Sequence, residues 1–207
     1  MLLLRGKPDA VATWARRGLV PVHVVPLKGW TAVLPAGPSR AMPPYDDTLK
    51  ALAGRPVAPR LRSAIGLFAV DGNAVVTVHP SGYRAIQRWF VWSPGRGVVR
   101  PRHLAAGRPA DLIAAAGTRD HARDGMDGGA LRRDVRDTLV DAGGDADRVL
   151  GSLLALLSLP GSDLLDGGLD PVAAQDSSLV EPGEQHIARF ERIISDQAWH
   201  QAELEED

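Results

Sequence analysis

The hydrophobic pattern of this chain changes once, near residue 117, and that change limits the folds that the chain can adopt. Before it, short strand-like runs alternate with helix-like segments, whereas after it the apolar residues recur only at helical spacing. Strands mixed with helices, followed by helices alone, are typical of an α+β fold. We therefore expect a mostly antiparallel sheet with helices on one face, followed by a C-terminal helical region.

Turn residues and prolines divide the first region into elements. The pattern predicts strands at 2–4, 20–27, 30–34, 64–70, 74–79, 88–92 and 97–100, and helices at 9–17, 43–53 and 109–116. Residues 71–73 (Asp-Gly-Asn) and 93–96 (Ser-Pro-Gly-Arg) indicate tight hairpin turns. Pro21 and Pro26 cannot donate ladder hydrogen bonds, so we expect the second strand to be bulged or at an edge of the sheet. A ferredoxin-like core is one of several arrangements with this order of elements.

Three longer helices are predicted in the second region, at 130–142, 145–159 and 182–205. The middle helix carries leucine and valine too densely for a one-sided helix, so we expect it to be central and buried. Residues 118–129 show no apolar period and predict a linker or a mobile loop. The chain is thus expected to contain a basic α+β domain at 1–117 and an acidic helical domain at 130–207.

Positive and negative charges are segregated along the chain. Residues 1–108 carry 16 Lys and Arg against four acids, whereas residues 109–207 carry 8 Arg against 21 acids, so the net charge of −1 is a cancellation. Such an asymmetry indicates an anionic partner, or two parts of one molecule that attract each other. In the second case Arg–Asp pairs would dock the two regions, and salt would weaken the docking.

Composition excludes several classes of protein. Cysteine is absent, which excludes disulfides, thiolate nucleophiles and Cys-ligated zinc, and we expect a cytoplasmic location. No apolar run approaches the roughly 18 residues of a membrane span, so we expect no membrane association. We expect Met1–Leu4 to form a strand rather than part of a signal peptide. The high usage of Ala, Arg, Asp and Gly is typical of a GC-rich bacterial genome.

Catalytic motifs are missing from the sequence. There is no P-loop, G-x-S-x-G, H-E-x-x-H or G-x-G-x-x-G, and no histidine has a catalytic neighbour within its own segment. Two groups resemble metal ligands: Asp120, His121, Asp124 and Asp127 in a Gly-rich segment, and Asp196, His200 and Glu203 on the last helix. The first lacks the spacing of a calcium loop and the second lacks further convergent ligands. We therefore expect no metal and no cofactor.

The stretch 72–110 is the candidate site that the sequence singles out. It contains no acid, and its arginines are interleaved with aromatic residues. The candidate anion-binding residues are Arg84, Arg88, Arg96, Arg100, Arg102, Trp89 and Trp92. Arginines beside aromatic faces on a strand pair suit phosphate contact combined with base stacking. The alternative is that the tryptophans belong to the core and the arginines pair with the acidic C-terminal helices.

Three classes of function remain open at this point. We expect a non-enzymatic binding or regulatory protein that forms a homodimer through its C-terminal helices or binds a protein partner. The first alternative is the binding of a nucleic acid or another anionic ligand through the hairpin at 83–102. The second alternative is an enzyme with a dispersed site, which would show convergent polar groups with perturbed pKa values inside a cleft.

Overall fold

Eight antiparallel strands form one sheet in this computed structural model, which describes residues 1–82, 85–117, 128–166 and 176–206. The strands are β1 (Leu2–Leu4), β2 (Val22–Leu27), β3 (Trp30–Pro35), β4 (Ala64–Val70), β5 (Asn73–His79), β6 (Arg88–Ser93), β7 (Gly97–Val99) and β8 (Ser178–Val180). The same residues form seven α-helices: α1 (Pro8–Ala15), α2 (Thr48–Ala53), α3 (Pro109–Ala116), α4 (Gly128–Val140), α5 (Ala146–Leu156), α6 (Ser162–Asp166) and α7 (Glu184–Glu206). The predicted α+β class is confirmed.

The strands lie across the sheet in the order β7-β6-β5-β4-β1-β3-β2-β8. Along the chain, the first elements follow one another as β1-α1-β2-β3-α2-β4. Their strand order of β4-β1-β3-β2, with every neighbouring pair antiparallel, is the ferredoxin-like arrangement anticipated from the element order. Beyond β4, the strands β5, β6 and β7 continue the sheet as a meander.

Turn chemistry sets the register of this meander. Between β4 and β5, Asp71 and Gly72 have φ angles of 50° and 74°, the left-handed conformation that a tight Asp-Gly hairpin requires. Between β6 and β7, Gly95 has a φ of 71°. Both hairpins that the sequence predicts are confirmed by the strand pairing on either side of these turns.

Different helices cover the two faces of the sheet. We call the face that packs against α1 and α2 the first face, and the face that packs against α3 to α6 the second face. The alternation along β1 shows the division, because Leu2 and Leu4 belong to the first-face core and Leu3 belongs to the second-face core. The second-face core is the larger of the two.

Helix α3 is an exception to the expectation of helices on one face, because it packs on the second face beside α4. The physical reason lies in strands such as β1, which is apolar and buried at every position and therefore needs cover on both sides. Leu150 and Leu153 of α5 supply part of that cover and are fully buried, as predicted for the middle C-terminal helix. The division into two domains stays a prediction, and most of its linker, residues 118–127, lies outside the described residues.

The expectation that β2 is bulged or at an edge of the sheet was wrong. It lies between β3 and β8, and it pairs with β3 residue for residue from Val22 to Leu27. Strand β8, which the sequence pattern did not predict, pairs with Val22, His23 and Val24. Pro21 precedes β2, and Pro26 lies beyond the end of β8. Neither proline therefore removes a hydrogen bond from this ladder.

Two helices differ in detail from the sequence-based prediction. Helix α2 begins at Thr48 rather than near Pro44, because the Asp47 side chain accepts a hydrogen bond from the backbone N–H of Lys50 at 2.9 Å and caps the helix there. Helix α7 is 23 residues long, and Ile187, Phe190 and Ile194 form its half-buried stripe. Of the helices that the structure describes, none combines the length and the apolar character of a membrane span.

Candidate functional site

Within the described residues, the arginines of the predicted anion-binding hairpin form no ion pair with the acidic region. Arg96, Arg100 and Arg102 are exposed, and Arg88 is half-buried at the start of β6. None of these four forms an ion pair with a residue that the structure describes. Arg84 lies outside the described residues. Pairing of the hairpin arginines with the C-terminal helices is therefore not found in the described part of the chain.

The two tryptophans of the hairpin have different environments. Trp92 is 1% exposed in the second-face core, and its indole N–H donates to the backbone oxygen of Asp141 at 2.7 Å. Its ring therefore has no exposed face for a ligand. The prediction that Trp92 is an anion-binding residue was wrong. Trp89 is half-buried and lies beside the first-face core. It is the aromatic residue of the described hairpin that solvent reaches.

One ion pair joins the basic and acidic regions within the described residues. Arg40 Nη2 lies 3.2 Å from Glu181 Oε2, and both side chains are 53% exposed, so the pair is worth little. The regions are joined mainly by apolar contact, because Ile65 and Leu67 of the sheet share one core with Val149 and Leu153 of α5. The charge segregation is therefore not used to hold the described parts together.

A cavity of about 470 Å³ lies on the first face, beside the C-terminal end of α1. Helix α1, the chain around Tyr45, helix α2 with the residues after it, and the first turns of α7 form its walls. The residues that give it chemical character are Trp14, Arg17, Tyr45, Arg55, His186 and Phe190. Its size falls in the range of small-molecule sites. The sequence analysis did not identify it.

Arg55 is the central charged group of the cavity. Its guanidinium carbon lies 3.6 Å from the centre of the Trp14 ring, which is a cation–π contact. Its terminal nitrogens donate to the backbone oxygens of Trp14 and Ala15 at the end of α1. Burial lowers the pKa of Arg55 to about 9, which leaves the group positively charged at neutral pH. No carboxylate of the described residues pairs with it.

Local sequence explains how Arg55 reaches this position. Helix α2 ends at Ala53, and Gly54 and Arg55 follow it directly. The Trp14 indole N–H donates to the backbone oxygen of Pro56 at 3.1 Å, so the ring is fixed beside the chain that carries Arg55. Gly18 leaves the space, since a Cβ atom there would lie 2.2 Å from Arg55 Nη1. These contacts place the guanidinium between a helix end and an aromatic face.

The charge of the cavity lining is positive. Arg17, Lys50, Arg55 and His186 line it, and no acid is among the described lining residues. Lys50 is already engaged by Asp71 and Asp47 at 3.0 and 3.1 Å, and hydrogen bonds to these carboxylates raise the pKa of Lys50. Arg17 is exposed and forms no described ion pair. The groups available to an anionic ligand are therefore Arg17 and those N–H groups of Arg55 that do not donate to Trp14 and Ala15.

Aromatic and aliphatic side chains form the rest of the lining. The rings of Tyr45 and Phe190 meet edge to face, with centroids 5.0 Å apart and an interplanar angle of 89°. Leu52 and Val20 are buried beside them. A cavity with an apolar wall and two available guanidinium groups suits a ligand with an apolar body and an anionic group.

Buried polar groups elsewhere on the first face do not belong to this cavity. Thr77 Oγ1 and His79 Nε2 are buried and have no hydrogen-bond partner among the described residues. Burial and the nearby charge of Arg62 lower the pKa of His79 to about 4, so its imidazole is neutral at pH 7. The described side chains contain no group of three or more metal ligands, and Asp120, His121, Asp124 and Asp127 lie outside the described residues.

Comparisons with known proteins assign no family to this chain. No protein-family model matches it, and neither the curated proteins nor the solved structures contain a significant match. The cavity also lacks a sequence signal of its own, because Trp14, Arg55 and Phe190 lie in three distant segments. Only the arginine and tryptophan content of the chain pointed toward recognition of anions.

Proposed function

We propose that this protein is a binding protein for a small organic anion, which occupies the cavity beside α1. The observation that carries the proposal is Arg55, a charged group in an apolar wall without a carboxylate partner among the described residues. A guanidinium in such a place lacks the counterion that normally compensates its burial. An anionic ligand supplies that counterion.

The dimensions and lining define the ligand class. About 470 Å³ accommodates a body of one or two rings. The carboxylate, sulfonate or phosphate of the ligand lies against Arg55 and Arg17, because arginine pairs with such groups through two parallel hydrogen bonds. The apolar body lies against Tyr45 and Phe190, whose rings also line the cavity.

Binding fits the lining better than catalysis does. General acid–base chemistry requires a titratable group that a second side chain orients, and nucleophilic chemistry requires a nucleophile beside its base. Among the described residues, the cavity has His186 as its one imidazole and no carboxylate. His186 is exposed. Asp47 and Asp71 orient Lys50, but hydrogen bonds to these carboxylates raise the pKa of Lys50 and keep it protonated. We therefore favour recognition of charge over proton transfer.

Two matched fluorescent probes test this function. Anilinonaphthalene sulfonate carries an anionic group on an apolar ring system, and phenylnaphthylamine carries the same ring system without the sulfonate. We expect the sulfonate to bind about tenfold more tightly than the neutral probe, as one charge-assisted contact predicts. Benzoate and phenyl phosphate should displace the sulfonate. Equal affinity for the two probes would contradict recognition of an anion.

A matched pair of arginine variants locates the site. Arg17 lines the cavity, whereas its neighbour Arg16 is equally exposed and does not. Arg17→Ala should weaken the sulfonate about tenfold and leave the neutral probe unchanged. Arg16→Ala, which makes the same change in net charge, should leave both affinities unchanged. If both variants weaken the sulfonate equally, the probe senses net charge and the proposed site is wrong.

Oligomeric state and location stay predictions. The homodimer expected from the C-terminal helices would involve α7, where Ile193 is 45% exposed beside the half-buried stripe. Light scattering at micromolar concentration measures the mass directly, and a monomeric mass would contradict the dimer. A cytoplasmic location is tested by fractionation of the cells that produce the protein.

A further inference from the structure

One part of the first face is not covered by helices. Helices α1 and α2 pack on β1 to β4. Six first-face residues of β5, β6 and β7 are only half-buried, whereas Thr77 and His79 in the second half of β5 are fully buried. We call these residues the open strip: Asn73, Val75, Trp89, Val91, Ser93 and Val99. On the second face of the same strands, Ala74, Val76, Phe90 and Trp92 are all buried. The open strip is therefore less completely covered than the opposite face of the same strands, although Val75 and Trp89 also pack against the first-face core.

The strand register places these residues side by side. Trp89 lies opposite Thr77 of β5, and Val91 lies between Val75 of β5 and Val99 of β7. Side chains of directly paired residues point to the same face of a sheet. The result is a flat surface three strands wide, or about 10 Å between its outer strands. Trp89 stands at one end of it.

Arginines lie at both ends of the hairpin that carries the open strip. Arg96 is in the turn between β6 and β7, and Arg100 and Arg102 follow β7 at the opposite end, where Arg88 begins β6. Arg100 lies four positions after Arg96 in the sequence, which corresponds to about 13 Å of extended chain. The sequence from 72 to 110 contains no acid. The hairpin itself therefore contributes only positively charged side chains to this surface.

We propose that the open strip binds single-stranded nucleic acid, with Trp89 stacked on a base and with Arg96, Arg100 and Arg102 in contact with phosphates. A sheet face with a partly exposed aromatic ring and flanking arginines meets the two requirements of single-strand binding, which are stacking and a charged path for the backbone. In a duplex the faces of the bases are stacked inside the helix, and an acidic protein partner has no bases. The position of Trp89 therefore indicates a single-stranded nucleic acid rather than a duplex or an acidic protein.

This site is independent of the cavity. Arg55 and the other cavity residues lie at the ends of α1 and α2 and on α7, whereas the open strip belongs to β5, β6 and β7. No residue lines both surfaces. Loss of small-anion binding and loss of nucleic-acid binding are therefore separate results.

Fluorescence anisotropy tests the proposal. The probes are fluorescein-labelled oligodeoxythymidine of about 12 nucleotides, an RNA of the same length and a labelled duplex, each at about 50 mM salt. We expect the single strands to bind at least about tenfold more tightly than the duplex. The affinity should fall steeply with salt, since each phosphate contact releases condensed counterions. No binding of the single strands at tens of micromolar protein would overturn the proposal.

Two double variants separate local contacts from net charge. Arg96→Ala with Arg100→Ala should weaken the oligonucleotide at least about tenfold and reduce its salt slope by about 0.7 for each lost phosphate contact. Arg16→Ala with Arg60→Ala removes the same charge from exposed positions outside the open strip and should change neither quantity. Equal losses in both variants would overturn the assigned surface.

Trp89→Leu separates stacking from charge. It should weaken oligonucleotide binding about tenfold, within the range for one lost base stack, and leave the binding of heparin unchanged, because heparin has charge but no bases. Circular dichroism of each variant confirms that the sheet is intact. If Trp89→Leu leaves oligonucleotide binding unchanged, or if heparin and oligonucleotide are affected alike, the surface does not stack bases and the proposal fails.

Discussion

The two faces of the sheet differ in how completely they are covered. The second face is closed by α3 to α6 over an apolar core, and Leu112, Val135 and Leu153 are each fully buried there. The first face contains the buried polar side chains Thr31, Thr77 and His79. It also contains the cavity and the open strip. The cavity lies among α1, α2 and α7, and the open strip lies where the two short helices leave part of the sheet less covered.

Each face of the sheet has one arginine stacked on a tryptophan, and these two contacts can be compared directly. On the second face, Arg5 lies 3.8 Å from the centre of the Trp30 ring and donates to the backbone oxygen of Ala116, the last residue of α3. On the first face, Arg55 makes the equivalent contacts with Trp14 and the end of α1. Each arginine satisfies carbonyls at a helix C-terminus, where positive charge is favourable. Only the Arg55 contact borders the cavity.

The largest expected difference between the faces is the cost of a leucine deletion. Leu153→Ala empties space in the closed core and should lower the free energy of unfolding by about 4 to 5 kcal/mol. Leu52→Ala enlarges a cavity that already exists and should cost only about 2 to 3 kcal/mol. Urea unfolding measures both values. Equal costs would show that the cavity wall is as tightly packed as the second face.

A buried histidine gives the first face a pH dependence. The pKa of His79 is lowered from 6.5 to about 4, so protons bind the unfolded chain first as the pH falls. The free energy of unfolding should therefore be undiminished above about pH 6.5 and should fall by up to about 3 kcal/mol as the pH approaches 4. His79→Leu should remove this part of the pH dependence. His186→Gln, at an exposed position, serves as the control and should retain it.

Exchange of each stacked arginine for methionine separates stability from recognition. Arg5→Met and Arg55→Met should each lower the free energy of unfolding by about 1 to 2 kcal/mol, through loss of a cation–π contact and of hydrogen bonds to a helix end. Only Arg55→Met should also abolish the preference for anilinonaphthalene sulfonate over phenylnaphthylamine. The same loss of preference in Arg5→Met would show that the effect follows stability and not the site.

Salt should have the smallest effect on the contact between the basic and acidic regions. Between about 50 mM and 1 M sodium chloride, screening removes the attraction of exposed charges. Because Arg40–Glu181 is the ion pair that joins the two regions in the described structure, we expect the free energy of unfolding to change by less than about 1 kcal/mol. Chemical denaturation with urea checks this. A larger decrease in the free energy of unfolding at high salt would instead support the electrostatic docking that the charge pattern predicted.

Local elements were predictable because local chemistry determines them. The apolar runs of β4 and β5 and the Asp-Gly turn between them predicted that hairpin, and it is present. Helix α3 was predicted from Pro109 to Gly117, where the chain turns into the left-handed conformation with a φ of 76°. Strand β8 was missed because three residues, of which Leu179 is 58% exposed, carry no periodic signal before they pair with β2.

The candidate site was predictable only in part. The absence of acids from residues 72–110 pointed to Arg96, Arg100 and Arg102 as candidate binding residues, and all three are exposed in the structure. Trp92 could not be distinguished from Trp89 in the sequence, because its burial depends on which face of β6 the C-terminal helices cover. No motif or spacing in the sequence pointed to Arg55, the arginine of the cavity.

The sequence by itself determined the order and kind of most elements, because side-chain periodicity and turn residues act within a few positions of each other. The tertiary structure alone decided which face each helix covers and where the charges are used. Arg55 and Trp14 are 41 positions apart, and they meet because α1 and α2 pack on the same four strands. Contacts of that kind depend on the packing of whole elements, which no short stretch of sequence encodes.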